Sequence, residues 1–296
     1  ELKLKNALDF KGDIVTTLQP NKAVTKVDFF TSMANIFVKQ AVVNLPSGTI
    51  NSDYQVKVAN LAKLYDVTNT KMRGNIVLDG TVVKTQDLII TGTSNILAGK
   101  LDFKLKNDDF SANVNNIEVK QLTHMLYYPD VFDSKANAVV TYNLVKSAGV
   151  IDANLIDGHF LPNKFSSVLN QFAKFDLTKE VYDSVDLDST INKEIIKSTV
   201  KMKSNLTEIT VPKSTLDTKK RTVDAVVQAS IKGMTANAII SGSLDSPKVK
   251  VDTSGLLKGA LKNSKEVKKI EDKIKKQLGG SKEGDSLLKG LKNFLN

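Results

Sequence analysis

Cysteine and tryptophan are absent from this 296-residue chain, and only two histidines occur. Without cysteine there are no disulfides, thiolate nucleophiles or cysteine-based zinc sites. Aromatic residues make up 6% of the chain, which leaves little for stacking on bases or sugars. The two histidines, His124 and His159, stand on different segments, and neither has a second histidine at metal-ligand spacing. A Ser-His-Asp set assembles in space rather than in sequence, but two histidines leave few combinations. No run of about 20 apolar residues could cross a membrane as a helix. The phosphate-cradling Gly-x-x-x-x-Gly-Lys-Ser/Thr, the dinucleotide glycine fingerprint and the Gly-x-Ser-x-Gly elbow are all missing. Gly92 and Gly99 read as turn glycines. The acidic fragments at 107–109 and 186–188 lack the spaced oxygens and glycine of a calcium loop, and read as turns. The expectation is a chain with no catalytic set, no metal and no cofactor: not an enzyme.

What is present is charge and alternation. The net charge is +10 with a sequence pI near 9.4, which fits either an anionic partner or simple solubility. No nucleic-acid partner is expected, because the lysines lack interleaved aromatics and no helix-turn-helix or RRM-like text occurs. Hydrophobic content of 41% suffices for a core. Ile50, Ser52, Tyr54, Val56 and Val58 alternate cleanly against Asn51, Asp53, Gln55 and Lys57, the period of a strand with one buried face. Apolar stretches at 14–18, 24–30 and 36–43 are separated by Pro20–Asn21 and Pro46–Ser47–Gly48. Asp79–Gly80, between Ile76–Leu78 and the segment 81–84, reads as a hairpin turn, and Asp157–Gly158 repeats the signal.

Laid on itself, the chain repeats. Val58 and Val119 are 61 residues apart, as are Leu61 and Leu122; beyond the helix-like stretch the offset becomes 62, pairing Val77 with Val139 and Val82 with Leu144. One unit reads as strand, short helix, then strands, unless two β-rich stretches have aligned by chance. Phe165, Val168, Leu169, Phe172 and Phe175 form an amphipathic stripe, so a helix is expected over 164–175, packing on or capping the sheet. Alternation resumes at 185–191, 196–202, 206–211, 223–231 and 236–244, with a charged turn at 218–221. Beyond Ser254 the text is helical. Val267, Ile270, Ile274 and Leu278 form a narrow stripe, Gly279–Gly280 ends it, and Leu287, Leu288, Leu291, Phe294 and Leu295 follow.

The segment 236–252, ANAIISGSLDSPKVKVD, carries a further signal. Ala236, Ala238, Ile240 and Gly242 share one strand face, and Pro247 requires a strand edge or end. A strand ending in G-x-L-x-x-P, a short extended piece, and then Gly255-Leu256-Leu257-Lys258-Gly259-Ala260-Leu261 resembles the C-terminal end of the AsmA-like family. That resemblance implies a bacterial envelope protein built from long β-sheet, linked to outer-membrane assembly and to lipid movement between membranes. This chain is shorter than the longer relatives and has no counterpart of their N-terminal membrane helix, so these residues alone are not expected to bridge two membranes. Its start in mid-alternation, at Glu1–Leu2–Lys3, reads as a piece whose targeting or anchoring segment has been removed.

The expected fold is therefore mainly β. It is a large, curved, mostly antiparallel sheet, a repeating β-groove or an open sandwich or barrel-like form, with few short helices and a helical tail. Residues 1–253 form the β-rich domain and 254–296 the lysine-rich tail. If the apolar face stays partly uncovered, it makes a trough for acyl chains. The expected lining is Ile76, Leu78, Val82, Leu101, Phe103, Leu105, Val139, Leu144, Ile151, Val200, Met202, Val227 and Ile240. Leu287, Leu288, Leu291, Phe294 and Leu295 are the candidate membrane or partner contacts. The expected partners are phospholipid or another acyl-chain lipid, a membrane surface met through the tail, and other envelope proteins. The expected location is the periplasm or envelope, with an anchor in the inner membrane. A structural, scaffolding or adhesive envelope protein with a covered core is the competing reading, and the state of the apolar face separates the two.

Overall fold

The computed structural model describes residues 8–252 except 174 and 233, together with 254, 272–274 and 289. The alternating segments form strands β1 (Phe10–Gln19), β2 (Lys22–Thr31), β3 (Asn35–Asn44) and β4 (Thr49–Val58). A 3-10 turn, Leu61–Leu64, and the short helix α1 (Tyr65–Thr68) come next. They lead to β5 (Ile76–Lys84), β6 (Leu88–Ile96), β7 (Gly99–Lys106) and β8 (Asp109–Glu118). Helix α2 (Val119–Met125) precedes β9 (Phe132–Asn143) and β10 (Ala148–Phe160). Helix α3 (Lys164–Ala173) and a 3-10 turn, Leu177–Lys179, precede β11 (Tyr182–Asn192) and β12 (Ile195–Lys203). The run closes with β13 (Thr207–Asp217), β14 (Thr222–Ile231), β15 (Met234–Ser243) and β16 (Lys248–Asp252).

All sixteen strands belong to one antiparallel sheet in sequence order, β1 and β16 being its two edges. The fold is thus mainly β, a curved open meander with few short helices. Such an order has a consequence for the connections. Every even strand finishes at the same end of the sheet, and the helical connections follow β4, β8 and β10. All the helices between strands therefore gather at one end, while the other end carries only short turns.

The register shows which residues share a face. Phe29, Val56, Leu78, Ile90, Leu101, Val114, Ala138, Ile151 and Leu187 lie on one face through successive pairings, and the neighbouring residues that alternate with them lie on the other. The same face continues through Val200, Ile209, Ala229, Ala236 and Val251. It is apolar almost throughout, with small serines as its main interruptions. The opposite face carries rows such as Lys100, Asp102, Lys104 and Lys106 on β7, or Asp186 and Asp188 facing Lys201 and Thr199. Alternation in the sequence has become a sheet with one apolar and one polar side.

Among the described residues, α3 covers one region of the apolar face. Phe165 and Leu169 of α3, with Phe175 and Leu177 after it, join Tyr182, Val185, Ile209, Val227, Ala229, Ile231, Ala236 and Ala238 in a single buried cluster. Phe132, Phe160 and Tyr182 contact one another edge-on or tilted, at 5.1 to 6.1 Å between ring centres. The expected helix over 164–175 is present and ends at Ala173. The side chains of Val168 and Phe172 lie outside the described residues. The strand–helix–strand unit recurs: β4, α1 and β5 match β8, α2 and β9 in element order, antiparallel pairing and face, Val77 and Val139 both lying on the polar side.

Expectations fail at three glycines. Asp79–Gly80 is not a hairpin: both residues sit in mid-strand in β5. Gly92 lies inside β6, whereas Gly99 borders the Leu97–Ala98 turn as the first residue of β7. Asp157–Gly158 lies within β10, where Asp157 takes a positive φ of 53° and the pairing with β9 is irregular between Ile156 and His159. The strand glycines serve their neighbours instead. Gly80 is paired with Tyr54 and Gly92 with Phe103. A Cβ on Gly80 would fall 2.7 Å from the Tyr54 ring, and one on Gly92 would fall 2.2 Å from the Phe103 ring. An aromatic ring lies against each glycine, filling the space a side chain would take. Gly12 with Phe29, and Gly149 with Tyr142, repeat the arrangement. Of the tail stripe, Ile274 is helical and buried; Val267, Ile270 and Leu278, like most of 254–296, lie outside the described residues.

Candidate functional site: an open apolar face with a notch at one end

On the apolar side, the residues from β2 to β8 are mostly half-buried and lie outside the cluster that α3 covers. Among the described residues, α2 packs against β8 and β9, and α3 against β16 and the 3-10 turn beside it. Neither lies over β4 to β7. The floor that neither helix covers runs across the half-buried Ile36, Val56, Leu78, Ile90, Leu101 and Phe103, broken by the glycine–aromatic rows. At its middle Tyr54 donates its hydroxyl to the Thr91 carbonyl at 2.9 Å, and burial raises the phenol above its ordinary pKa. The dimensions suit a chain-like ligand. Ten strand residues span roughly 33 Å, and seven strands side by side span roughly 30 Å.

The expected lining residues sort into three groups. Ile76, Leu78, Val82, Leu101, Phe103, Leu105 and Ile151 lie on the open part of the apolar face. Val200, Met202, Val227 and Ile240 share that face but belong to, or pack against, the covered cluster, so they line a core rather than a trough. Val139 and Leu144 are misplaced. Val139 pairs with Asn113 on the polar side and is 52% exposed, and Leu144 stands in the β9–β10 turn, 50% exposed. Sequence reasoning missed Tyr54, Ile90, Phe110, Val114, Val140 and Tyr142, which lie on the same open face. Their signal was alternation in the strands beside those chosen. Leu287, Leu288, Leu291, Phe294 and Leu295 lie outside the described residues.

The covered half is held shut by polar contacts between distant segments. Arg221, in the β13–β14 turn, donates to the Tyr127 carbonyl at 2.6 Å and to Asp245 at 2.8 Å, and lies over the Tyr128 ring at 5.4 Å. Its guanidinium holds the Asp245 carboxyl below the usual carboxylate range, and burial raises the Tyr128 phenol. Lys164, at the start of α3, donates to the Pro247 carbonyl just before β16. These contacts join the helical end of β9 and β10 to turns at the opposite end of β13 to β16. Strand twist accumulated over several strands brings such positions together, so the sheet curls around α3 with the apolar face inward. Beneath, Tyr182 and Thr207 share a hydrogen bond of 2.7 Å, Thr207 and Ser204 one of 2.8 Å, and Ser204 donates to Glu180. Burial pushes the Tyr182 phenol up to about 12.

At the helical end the open face runs into a notch. The β6–β7 connection is the short turn Leu97–Ala98, flanked by the long connections 59–75 and 119–131. The first of these reaches across to the second: the Arg73 amide donates to the Met125 carbonyl at 3.0 Å, and the Arg73 guanidinium stacks 3.9 Å from the Tyr127 ring centre. The space between them, about 740 Å³, is walled by segments 73–75, 95–97 and 118–125 together with Asp130 and Asp133. Ile96, the last apolar-face residue of β6, forms part of the wall beside Asn95, Glu118 and Asp133, which stand at polar-face positions, so the notch lies at the strand ends where the two faces meet. Its charged groups are of both signs: Arg73, Lys120 and His124 with Glu118, Asp130 and Asp133.

Among the described residues no group of histidine, cysteine or carboxylate side chains is arranged to hold a metal ion, and no helix is long and apolar enough to cross a membrane. No family model matches the chain, and no curated protein or solved structure matches it either.

Proposed function

We propose that this chain is a lipid-handling protein that shields acyl chains from water on the apolar face of its sheet. The observation that carries the reading is the half-buried apolar floor from β2 to β8, which neither α2 nor α3 covers and which is continuous with a covered core on the same face. An apolar surface of that extent on a soluble protein would otherwise drive association. The magnitudes favour a carrier. Each CH₂ taken from water is worth about 0.8 kcal/mol, so a chain of about 16 carbons faces a barrier of roughly 13 kcal/mol when it leaves a bilayer for water. A floor that matches the bilayer's affinity removes that barrier without needing to hold the lipid tightly.

The segment 236–252 supports the same assignment through its resemblance to AsmA-like proteins. A site of action in the bacterial envelope, membrane attachment and a contribution to outer-membrane lipid transport or assembly belong to this proposal. The competing scaffold reading draws on the closed cluster under α3, which shows that this sheet can bury its own face. Extraction of the purified protein with organic solvent, followed by mass spectrometry, tests the choice. Stoichiometric acyl lipid in the wild type, lost in Leu101→Lys with folding retained, is the expected result. A lipid-free wild type that stays monodisperse would favour the scaffold.

A further inference from the structure

We propose that the notch at the helical end is a headgroup site selective for zwitterionic phospholipids, in which a phosphate and a tethered ammonium are recognised together. The inference rests on the lipid-handling reading and adds to it the chemistry of the ligand's polar end. Three observations support it. The first is an unsatisfied donor: the Arg73 Nε is buried without a hydrogen-bond partner, its guanidinium stacked on Tyr127, and no ion pair to Arg73 occurs among the described residues. A guanidinium held flat by an aromatic ring and short of an acceptor is suited to a phosphate oxygen.

The second is the composition of the walls. Lys120 and His124 stand one helical turn apart on α2, and both border the space that Arg73 borders. Glu118 and Asp133 border it too. A simple anion would meet those carboxylates, and a simple cation would meet Arg73 and Lys120. A ligand carrying both charges a few bonds apart satisfies both sets. The Glu118 carboxylate already accepts from Gln121 through one oxygen, which fixes its orientation and leaves the other oxygen for an ammonium. The third is position. The notch sits at the strand ends, with Ile96 of the apolar face in its wall beside Asn95, Glu118 and Asp133 of the polar face, so a headgroup seated there has the end of the apolar floor within reach of its acyl chains.

The test has two arms on the full-length protein. In the first, protein is incubated with vesicles of equal phosphatidylethanolamine, phosphatidylglycerol and free fatty acid, reisolated, and its bound lipid quantified. The wild type is expected to enrich phosphatidylethanolamine over phosphatidylglycerol by about tenfold, the size of one charge-assisted contact. The double variant Arg73→Gln with Lys120→Gln should lose phospholipid but retain fatty acid, and Glu118→Gln with Asp133→Asn should abolish the preference. Equal uptake of both phospholipids by the wild type overturns the proposal. In the second arm, phosphoethanolamine and glycerol phosphate are titrated separately while the labelled methyl groups of Met125 and Ile96 are followed by NMR. Saturable shifts with phosphoethanolamine, absent in the Arg73→Gln, Lys120→Gln variant, support the site, and unmoved methyls overturn it. If the wild type takes up no lipid, the acyl-chain reading fails and this second arm still decides the notch.

Discussion

At the scale of single residues, the strand glycines and one buried phenol give the clearest expectations. A Cβ on Gly80 would stand 2.0 Å from the Thr91 carbonyl oxygen as well as against the Tyr54 ring, so neither backbone nor ring gives way cheaply. Gly80→Ala is expected to cost about 1–3 kcal/mol in denaturant unfolding. Thr81→Ala, on the polar side of the same strand, loses a hydroxyl pair with Thr91 and should cost less. Equal costs would mean that the ring does not lie over the glycine in solution. Tyr182 gives a pH dependence. Its folded-state pKa lies near 12 against about 10 in the unfolded chain, with burial as the main cause. The neutral phenol is thus favoured in the fold. The associated stability is fully present below pH 10 and is lost as the pH rises from about 10 through about 12. Denaturant midpoints of the wild type should fall across that window, and Tyr182→Phe should flatten part of the fall while lowering stability near neutrality, because Thr207 loses one of its two hydroxyl partners and keeps Ser204. A variant with an unchanged alkaline profile would show that another group is responsible.

Elements differ in how firmly the sheet holds them. β1 is an edge strand, exposed along its whole length, with Phe10, Ile14 and Leu18 each at least 68% exposed. β10 and β11 are central strands that run into the covered cluster. Hydrogen exchange should therefore proceed through β1 well before β10 and β11, and the reverse order would contradict the topology. Arg221→Ala should cost about 1–2 kcal/mol and speed exchange in the segment after α2 that holds Tyr127 and Tyr128, since that contact ties this segment to the β13–β14 turn. The elements were also the most legible part of the sequence. Alternation located the strands and the phenylalanine stripe located α3, because both periods are local. Gly80 and Gly158 were misread because Asp-Gly carries the same local preference whether it turns the chain or sits under a partner's ring, and the partner lies elsewhere in the sequence. Val139 and Leu144 failed for a related reason. The repeat aligned them with Val77 and Val82, but β9 ends at Asn143, which leaves Leu144 in the turn, and Val77 itself faces the polar side. The notch was invisible because its walls come from segments around 74, 96 and 121, joined by the reach of one connection to another.

For the molecule as a whole, one sheet does two things with one face. The helical ends of β9 and β10, with the strands from β11 onward, curl around α3 and bury that face, which gives the fold a core with the aromatic contacts of Phe132, Phe160 and Tyr182. The earlier strands keep the same pattern with neither α2 nor α3 above it. The central claim is that acyl chains lie on this open part, apolar side only. The most direct measurement is photo-crosslinking with a phospholipid that carries a diazirine in its acyl chain, with the adducts mapped by peptide mass spectrometry. Adducts are expected at apolar-face positions such as Val56, Leu78, Ile90, Leu101 and Phe103, and not at Val77, Val83 or Val139 on the other side. Adducts spread equally over both faces, or none above a lipid-free control, would contradict it.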